Sequence, residues 1–307
     1  MSDLYTKKPW LKNKLQNVPE EVEVPLKSLG EVFDDAAAKW KGRTAVHFYG
    51  ADISYKELKE KVDCFANALS QLGLKKGDRL GLLLLNSPEF IISFYASAKI
   101  GLIMTPISPV YVSSEIRHQL SDSGAESMIC QDILYESVEK TGIKLKNVIL
   151  ASISDSLPKF KKLLGRSVLR GVYQKMAVPS PEIYQGEGFY NLHQLIGKYP
   201  PTPPPVEINP REDLIALPYT GGTTGLPKGV MLTHYNMVAN YRQFKANYPM
   251  LIEGQEATVA YMPFYHAASQ ITNVVYGLLN GFTQVAITNP DVDDILNIIV
   301  LDMLSFF

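Results

Sequence analysis

Short apolar runs alternate with longer segments whose apolar residues recur at helical spacing along most of the chain. The longer segments predict helices, because residues three and four positions apart share one face of a helix. The short runs lack polar alternation, which is typical of strands buried on both faces of a parallel sheet. We therefore predict an α/β fold of layered, mostly parallel sheets flanked by helices. The helices are predicted over 28–40, 54–72, 87–100, 114–120, from 133, over 234–246 and up to 279, and the strands over 44–49, 79–85, 102–105, 127–130, 148–150, 214–217, 258–262 and 283–288.

Capping residues support several of these boundaries. Ser54 and Glu57 have the spacing of a capping box, in which each side chain bonds to the backbone of the other residue. Thr233 has the residue type and position of an N-cap before the helix that begins at His234. Gly73 follows the second helix, as expected where a helix ends in a left-handed turn.

A proline-rich stretch divides the predicted elements. Five of the six residues in 200–205 are proline, a composition that excludes a helix or a central strand and favours an extended connector. We predict a first sheet-and-helix subdomain over 1–199, a connector over 200–210 and a second subdomain over 211–307.

Composition and charge place the chain among ordinary globular proteins. With 46% hydrophobic residues, 30 Lys and Arg, and 31 Asp and Glu, the sequence has no net bias toward nucleic acid. Cys64 and Cys130 are expected to be small buried groups rather than a disulfide or metal pair. His47, His118 and His193 have no partners at ligand spacing, so no metal site is predicted. The sequence has no signal peptide and no apolar run long enough to span a membrane, so a cytoplasmic location is expected.

The segment 157–176 is unusually basic, with six Lys or Arg residues and no acidic residue between Lys159 and Lys175. Four of the basic residues would share one helical face, with apolar residues on another, which is typical of a helix at a membrane surface. The alternative is a surface helix with a solvated basic side. Gly165 and Gly171 weaken either helix.

The loop after the strand over 214–217 concentrates groups that bind anions. Glycines allow several backbone amides to point at one place, hydroxyls add donors, and one ammonium neutralises phosphate charge. The loop has no acidic residue. We predict a polyphosphate site, against the alternative of a polar surface loop with a solvated lysine. The candidate ligands are Thr220, Gly221, Gly222, Thr223, Thr224, Gly225 and Lys228.

The eleven residues Tyr219–Gly229 resemble the signature of the adenylate-forming (AMP-binding) superfamily, which includes acyl-CoA synthetases. The spacing around Lys228 excludes the P-loop of nucleoside triphosphatases. Two earlier segments, 53–58 and 99–109, resemble elements that precede this signature in the family. The segment 157–176 resembles an insertion found in long-chain members. The resemblance implies a fatty-acid–CoA ligase that uses ATP, Mg²⁺ and CoA, with the loop residues at the β- and γ-phosphates.

A second element of the family lies at Pro263–His266, which resembles its Pro-x-Phe-His motif. The resemblance implies that His266 controls the carboxylate end of the acyl site, with Phe264 or Tyr265 as the aromatic residue. The alternative is a structural histidine at the start of a helix. His266 and Lys228 are the candidate catalytic residues. Downstream apolar residues at helical spacing could line an acyl tunnel, although such stripes usually belong to the core. They are Val274, Tyr276 and Leu278.

The family's later motifs, which supply magnesium and ribose ligands and a mobile small domain, are absent from the 307 residues. The resemblance therefore implies an incomplete N-terminal part of a ligase, expected to be inactive alone because positioning supplies about 7–11 kcal/mol of such barriers. The alternatives are a non-catalytic nucleotide- or acyl-binding remnant and a membrane-surface module. The acidic residues Asp291, Asp293 and Asp294 are expected to complement a helix dipole.

Overall fold

The structure is a computed structural model, and it describes residues 7–9, 11, 18–158, 179, 181–221, 225–288, 292, 295 and 296. Within these residues the chain forms two larger sheets and a two-stranded hairpin. The first sheet has the strand order β11-β8-β4-β3-β5-β6-β7 and is parallel except for the edge strand β11. Its strands are β3 (Arg79–Leu83), β4 (Ile103–Pro106), β5 (Ser127–Gln131), β6 (Asn147–Ala151), β7 (Phe189–Asn191), β8 (Leu214–Ala216) and β11 (Leu232–Thr233).

The second sheet has the order β12-β13-β1-β2, in which only β2 is antiparallel to its neighbour. Its strands are β1 (Thr44–Phe48), β2 (Ala51–Ser54), β12 (Ala257–Ala260) and β13 (Thr283–Ala286). Both sheets combine strands from before and after the connector. The connector at 200–210 therefore does not separate one sheet from the other. The predicted division into two subdomains at this connector stays a prediction.

Helices pack between and around the sheets. They are α1 (Leu29–Lys39), α2 (Tyr55–Gln71), α3 (Pro88–Lys99), α4 (Ser113–Ser123), α5 (Tyr135–Glu139), α6 (Leu192–Lys198), α7 (His234–Asn247) and the short α8 (Ala267–Ser269). Helix α2 contacts both β1 and α3, and α3 contacts β4, so these helices connect the two sheets. Layered, mostly parallel sheets flanked by helices confirm the predicted fold class.

An ion-pair network joins the first three helices. Lys99 of α3 pairs with Asp63 of α2 and, at 2.6 Å, with Asp34 of α1. Lys59 lies 2.5 Å from the other oxygen of Asp63. Because both Lys99 and Asp63 are less than a tenth exposed, removing either one would leave a buried charge with fewer partners, which is costly.

The predicted helix boundaries hold where capping is local. The capping boxes at Ser54 and Thr233 are both present, and α2 and α7 begin at the next residue. Gly73 follows α2 with φ +87°. The predicted connector over 200–210 has neither helix nor strand.

Some predicted strand ends and helix types differ from the structure. The strands predicted over 79–85 and 283–288 end earlier, at Leu83 and Ala286. The helix predicted from 133 begins as a 3₁₀ turn over Asp132–Leu134 and continues in α5. The helix predicted up to 279 is π-helical over Gln270–Gly277. A spacing of three and four residues over two turns does not distinguish hydrogen bonds to the fourth residue from bonds to the fifth.

The basic segment over 157–176 lies outside the described residues from 159 onward, as do Asp291, Asp293 and Asp294. The described cysteines Cys64 and Cys130 are both free and buried, as expected. Trp40 follows α1 and its ring packs against Gly254 and Gly281.

Candidate functional site

The predicted phosphate loop connects the two strands of a short hairpin. Strand β9 (Tyr219–Thr220) follows β8 closely and pairs antiparallel with β10 (Lys228–Gly229). Thr220 lies opposite Lys228, and Tyr219 lies opposite Gly229. Cross-strand partners in an antiparallel pair carry their side chains on the same face. Thr220 and Lys228 therefore share one face, and Tyr219 and Gly229 share the other.

The face with Thr220 and Lys228 is open to solvent, since both residues are exposed. Among the described residues, the Lys228 ammonium has no ion pair and no hydrogen bond, and it does not line the cavity beneath the hairpin. A free ammonium beside a hydroxyl is chemically suited to an anion. In this structure the cation is presented at the surface and is not enclosed.

The glycines of the loop are only partly described. Gly221 and Gly225 are exposed, and a Cβ atom added at either residue would meet no atom within 4 Å. That space allows a ligand to approach the backbone amides closely. The predicted ligands Gly222, Thr223 and Thr224 lie outside the described residues, so their part in the site stays a prediction.

The opposite face of the hairpin packs against α4. The Tyr219 ring covers Gly229 so closely that a Cβ atom at that glycine would lie 3.0 Å from the ring. The Tyr219 hydroxyl donates a hydrogen bond of 2.5 Å to the Asp122 carboxylate. Burial and this neighbouring negative charge raise the pKa of Tyr219. Tyr219 therefore stays a neutral donor at physiological pH.

Two further side chains of α4 bind the surrounding backbone. His118 lies 3.0 Å from the Pro227 carbonyl oxygen, through Nε2. The buried Gln119 donates to the Thr105 hydroxyl at 2.7 Å and to the Pro106 carbonyl at 2.8 Å. The helix thus contacts β4 and the segment that precedes β10.

A cavity of about 300 Å³ lies between the hairpin and α4. Its walls are mostly apolar, and they are formed by Tyr111, Ser114, Glu115, His118, Gln119, Tyr219, Leu226 and Pro227. A second cavity, of about 230 Å³, is lined by Leu84, Leu85, Asn86, Pro109, Val110, Tyr261, Pro263, Tyr265 and Thr288. The turn over 109–111 borders both cavities, so it lies between the hairpin and the Pro263–His266 element.

The structure distinguishes the two aromatic candidates of that element. Phe264 is fully buried, and its ring packs 5.5 Å from the Phe90 ring. Tyr265 is half-buried and lines the second cavity. Tyr265 is therefore the aromatic side chain that a ligand in this cavity can reach.

His266 is exposed at the start of α8, where its Nδ1 accepts a hydrogen bond of 3.2 Å from the Ala268 amide. This bond leaves Nε2 as the nitrogen available to a ligand. The apolar residues Val274, Tyr276 and Leu278 are buried in the core, which favours packing over a tunnel lining. Burial raises the pKa of Tyr276 to about 12.

Asn86 holds this element in place and was not singled out by the sequence. Its amide nitrogen donates to the carbonyl oxygens of Ala260 and Met262, both at 2.9 Å. Its oxygen accepts from the Phe264 amide at 2.7 Å. An asparagine after a strand has many uses, so nothing in the local sequence indicates these three distant contacts.

The described residues contain no group of three or more His, Cys, Asp or Glu side chains that could hold a metal ion. Across the same part of the chain, no helix has the length and apolar character needed to cross a bilayer.

Comparison with known proteins identifies relatives of the chain. Residues 33–303 match the family model described as AMP-binding enzyme. The chain is 35% identical over 291 residues to the long-chain-fatty-acid–CoA ligase of Salmonella typhimurium, covering 92% of this chain and 51% of that protein. It is 30% identical over 298 residues to the long-chain-fatty-acid–CoA ligase of Bacillus subtilis, covering 96% and 52%. The chain therefore spans about half the length of the curated relatives it matches.

Solved structures give the same result for the fold. The crystal structure of a long-chain-fatty-acid-CoA ligase (FadD1) from Archaeoglobus fulgidus matches 93% of this chain and 52% of its own, with a TM-score of 0.74 and 25% identity. The N-terminal domain of FACL13 from Mycobacterium tuberculosis matches 90% of this chain, with a TM-score of 0.67 and 22% identity. The second likeness supports the fold alone.

Proposed function

Because the chain belongs to the family of AMP-binding enzymes, we propose that it forms the ATP-binding part of a long-chain fatty-acid–CoA ligase. Enzymes of this kind use ATP, CoA and Mg²⁺. In the proposed reaction, a fatty carboxylate oxygen attacks the α-phosphorus of ATP and pyrophosphate leaves. The thiol of CoA then attacks the acyl carbonyl carbon, and AMP leaves with the carboxylate oxygen.

The observation that carries the proposal is the solvent face of the hairpin. Lys228 and Thr220 lie side by side there, with no competing partner for the ammonium among the described residues. We assign these two residues, together with Gly221, Gly222, Thr223, Thr224 and Gly225, to the β- and γ-phosphates. Fixed donors and a cation lower the cost of charge transfer to the departing pyrophosphate, which is the main contribution a protein makes to this chemistry.

For the acyl group we propose the second cavity, together with His266, which follows the lining residue Tyr265 in the chain. Tyr265 provides an aromatic wall, and Nε2 of His266, which is not used in the bond to Ala268, can contact the carboxylate end of the substrate. No magnesium ligand is assigned among the described residues, because no suitable cluster is present there. No step is assigned to the metal, and no residue is assigned to CoA.

The test is fatty-acid-dependent exchange between ATP and labelled pyrophosphate, with palmitate as the substrate and with the C-terminal half of a related ligase added, because the chain alone is expected to be inactive. Replacing Lys228 with alanine should lower exchange by about 100-fold or more, as removal of a preorganised charge-stabilising group does. The matched control is Lys56→Ala, which removes an exposed lysine on α2 and should leave exchange unchanged.

The same samples separate the alternatives. If the wild-type chain shows no exchange but millimolar ATP raises its melting temperature, the chain is a non-catalytic nucleotide-binding protein. If ATP neither exchanges nor stabilises the protein, the proposal is wrong. An equal loss in both lysine variants would also contradict the role of Lys228.

We also propose peripheral membrane contact through the basic segment 157–176, on the strength of its charge pattern. The protein should sediment with anionic liposomes at low salt and be released at high salt, where Lys and Arg are screened. Failure to sediment at low salt would refute this contact and leave the nucleotide site unaffected.

A further inference from the structure

We propose that helix α4 positions the phosphate-binding hairpin, with His118 and Asp122 as positioning residues for Thr220 and Lys228. The proposal rests on the proposed function, since it explains how the groups assigned to the phosphates are held. Neither residue is itself expected to contact the nucleotide. Their contacts lie on the face of the hairpin away from Lys228.

The hairpin has little structure of its own. Each strand is two residues long and forms a single set of cross-strand pairs. Isolated two-stranded hairpins are marginally stable even when they are longer. The direction of the Lys228 side chain therefore depends on tertiary contacts.

Helix α4 supplies such contacts to both strands from adjacent turns. His118 and Asp122 are four residues apart, so they lie on one face of the helix. Asp122 accepts the hydroxyl of Tyr219 in β9. His118 binds the carbonyl of Pro227, which directly precedes Lys228 in β10. The helix thus holds one strand by a side chain and the other by its backbone.

The chemistry of the two contacts fixes the role of each group. A carbonyl oxygen only accepts hydrogen bonds, so Nε2 of His118 must carry a proton and donate it to Pro227. A carboxylate only accepts, so the Tyr219 hydroxyl must donate to Asp122. The Tyr219 ring also lies against Gly229, and a larger residue at 229 would displace the ring.

The alternation of side chains then gives the functional consequence. With Tyr219 and Gly229 directed toward α4, their neighbours Thr220 and Lys228 must point the opposite way, toward solvent. The helix itself is fixed to β4 by the buried Gln119. Helix α4 therefore holds the Lys228 ammonium in a fixed position relative to the seven-stranded sheet. Small displacements of such charged groups lower the rate of phosphoryl transfer.

The experiment compares ATP affinity and hairpin protection in variants of the whole chain. His118→Ala and Tyr219→Phe each remove one anchor. The second keeps the ring on Gly229, so only the hydrogen bonding of the hydroxyl, chiefly to Asp122, is lost. His118→Gln returns an N–H near the position of Nε2, and Asp122→Asn keeps an acceptor for Tyr219. Ser121→Ala is the matched control, because Ser121 is exposed on the same helix.

Titration calorimetry with MgATP should show a dissociation constant about 5- to 10-fold higher for His118→Ala and Tyr219→Phe, the usual effect of one lost hydrogen bond. The Gln and Asn variants should lie within about twofold of wild type, and Ser121→Ala should not change. Hydrogen exchange should rise in residues 219–230 of the weakened variants, with an unchanged melting temperature.

Three results would overturn the inference, and they are distinguishable. If wild type binds ATP and the anchor variants bind it equally well, positioning by α4 is wrong while the proposed function stands. If affinity falls only together with the melting temperature, and exchange rises throughout the molecule, the two residues are merely structural. If wild type does not bind ATP, the proposed function fails and the inference fails with it.

Discussion

The buried histidine His234 should make the stability of this protein fall steeply in mild acid. His234 is the first residue of α7 and is fully buried. Its Nδ1 accepts a hydrogen bond of 3.2 Å from the amide of Leu29, the first residue of α1. That amide is one of the donors that a helix start leaves without an intrahelical partner. The neutral ring therefore joins the two helices.

Protonation of His234 would remove this acceptor and bury a charge. Nε2 is also buried and has no partner among the described residues, so it offers no compensating bond. Burial lowers the pKa of His234 to about 4 from its ordinary value of 6.5, and the nearby carboxylate of Asp213 opposes this only in part. His234 is therefore neutral in the folded protein at neutral pH.

The direction and size of the pH effect follow from linkage. The pKa of His234 in the folded protein lies below its value in the unfolded chain. The contribution of neutral His234 to the free energy of unfolding is therefore complete above about pH 6.5 and is lost as the pH falls toward 4. In that range the unfolded chain binds a proton that the folded protein does not. Between pH 7 and pH 4.5 we expect a loss of about 2 kcal/mol in the free energy of unfolding from this group.

Urea unfolding of wild type and His234→Asn at pH 7, 6, 5 and 4.5 measures this loss. Asparagine keeps an acceptor near the position of Nδ1 but does not titrate. The variant should be less stable at pH 7, because a smaller side chain leaves a cavity. Its stability should decline with falling pH by about 2 kcal/mol less than that of wild type. Parallel pH profiles for the two proteins would refute the reasoning.

Two further predictions concern stability. Asn86→Ala should lower the free energy of unfolding by about 3 kcal/mol, because it removes three hydrogen bonds to backbone groups around Phe264. Asn86→Asp should be no more stable than Asn86→Ala, since a carboxylate cannot donate hydrogen bonds to the two carbonyl oxygens. Urea unfolding midpoints equal to that of wild type in both variants would contradict this role. Gly281→Ala should cost about 2–4 kcal/mol, because the residue has φ +79° and its Cβ would lie 2.6 Å from the Trp40 ring. Gly42→Ala is its control, since a Cβ there meets nothing within 4 Å, and equal effects of the two changes would exclude the steric explanation.

Local signals in the sequence were sufficient for most of the fold. The caps at Ser54 and Thr233 act on amides within three residues, so their spacing alone predicts where α2 and α7 begin. Five of the six parallel strands of the larger sheet, β3 to β6 and β8, coincide with apolar runs that the pattern detects. The pattern misses β7 (Phe189–Asn191), which has no fully buried residue. The strands β9 and β10 are two residues long, too short for any periodicity to show.

The supports of the site could not be predicted, because they join residues far apart in the sequence. His234 caps an amide 205 positions earlier, and Tyr219 binds a carboxylate 97 positions earlier. An aspartate near the end of an amphipathic helix is normally a solvated residue, and Asp122 has no local feature that distinguishes it. The supporting roles of these residues can be recognised only in the folded structure.

This difference has a physical cause that bears on the function. A phosphate loop needs several glycines, hydroxyls and a cation in one short stretch, because backbone amides must converge on one ligand. The groups needed to bind phosphate therefore come from consecutive residues, and the segment Tyr219–Gly229 can be identified from the sequence alone. Holding that loop needs only one donor or acceptor at each anchor point, from any element that happens to be adjacent. The chemistry proposed for the loop is thus visible in the sequence, whereas the proposed positioning of Lys228 depends on distant contacts such as those of His118 and Asp122.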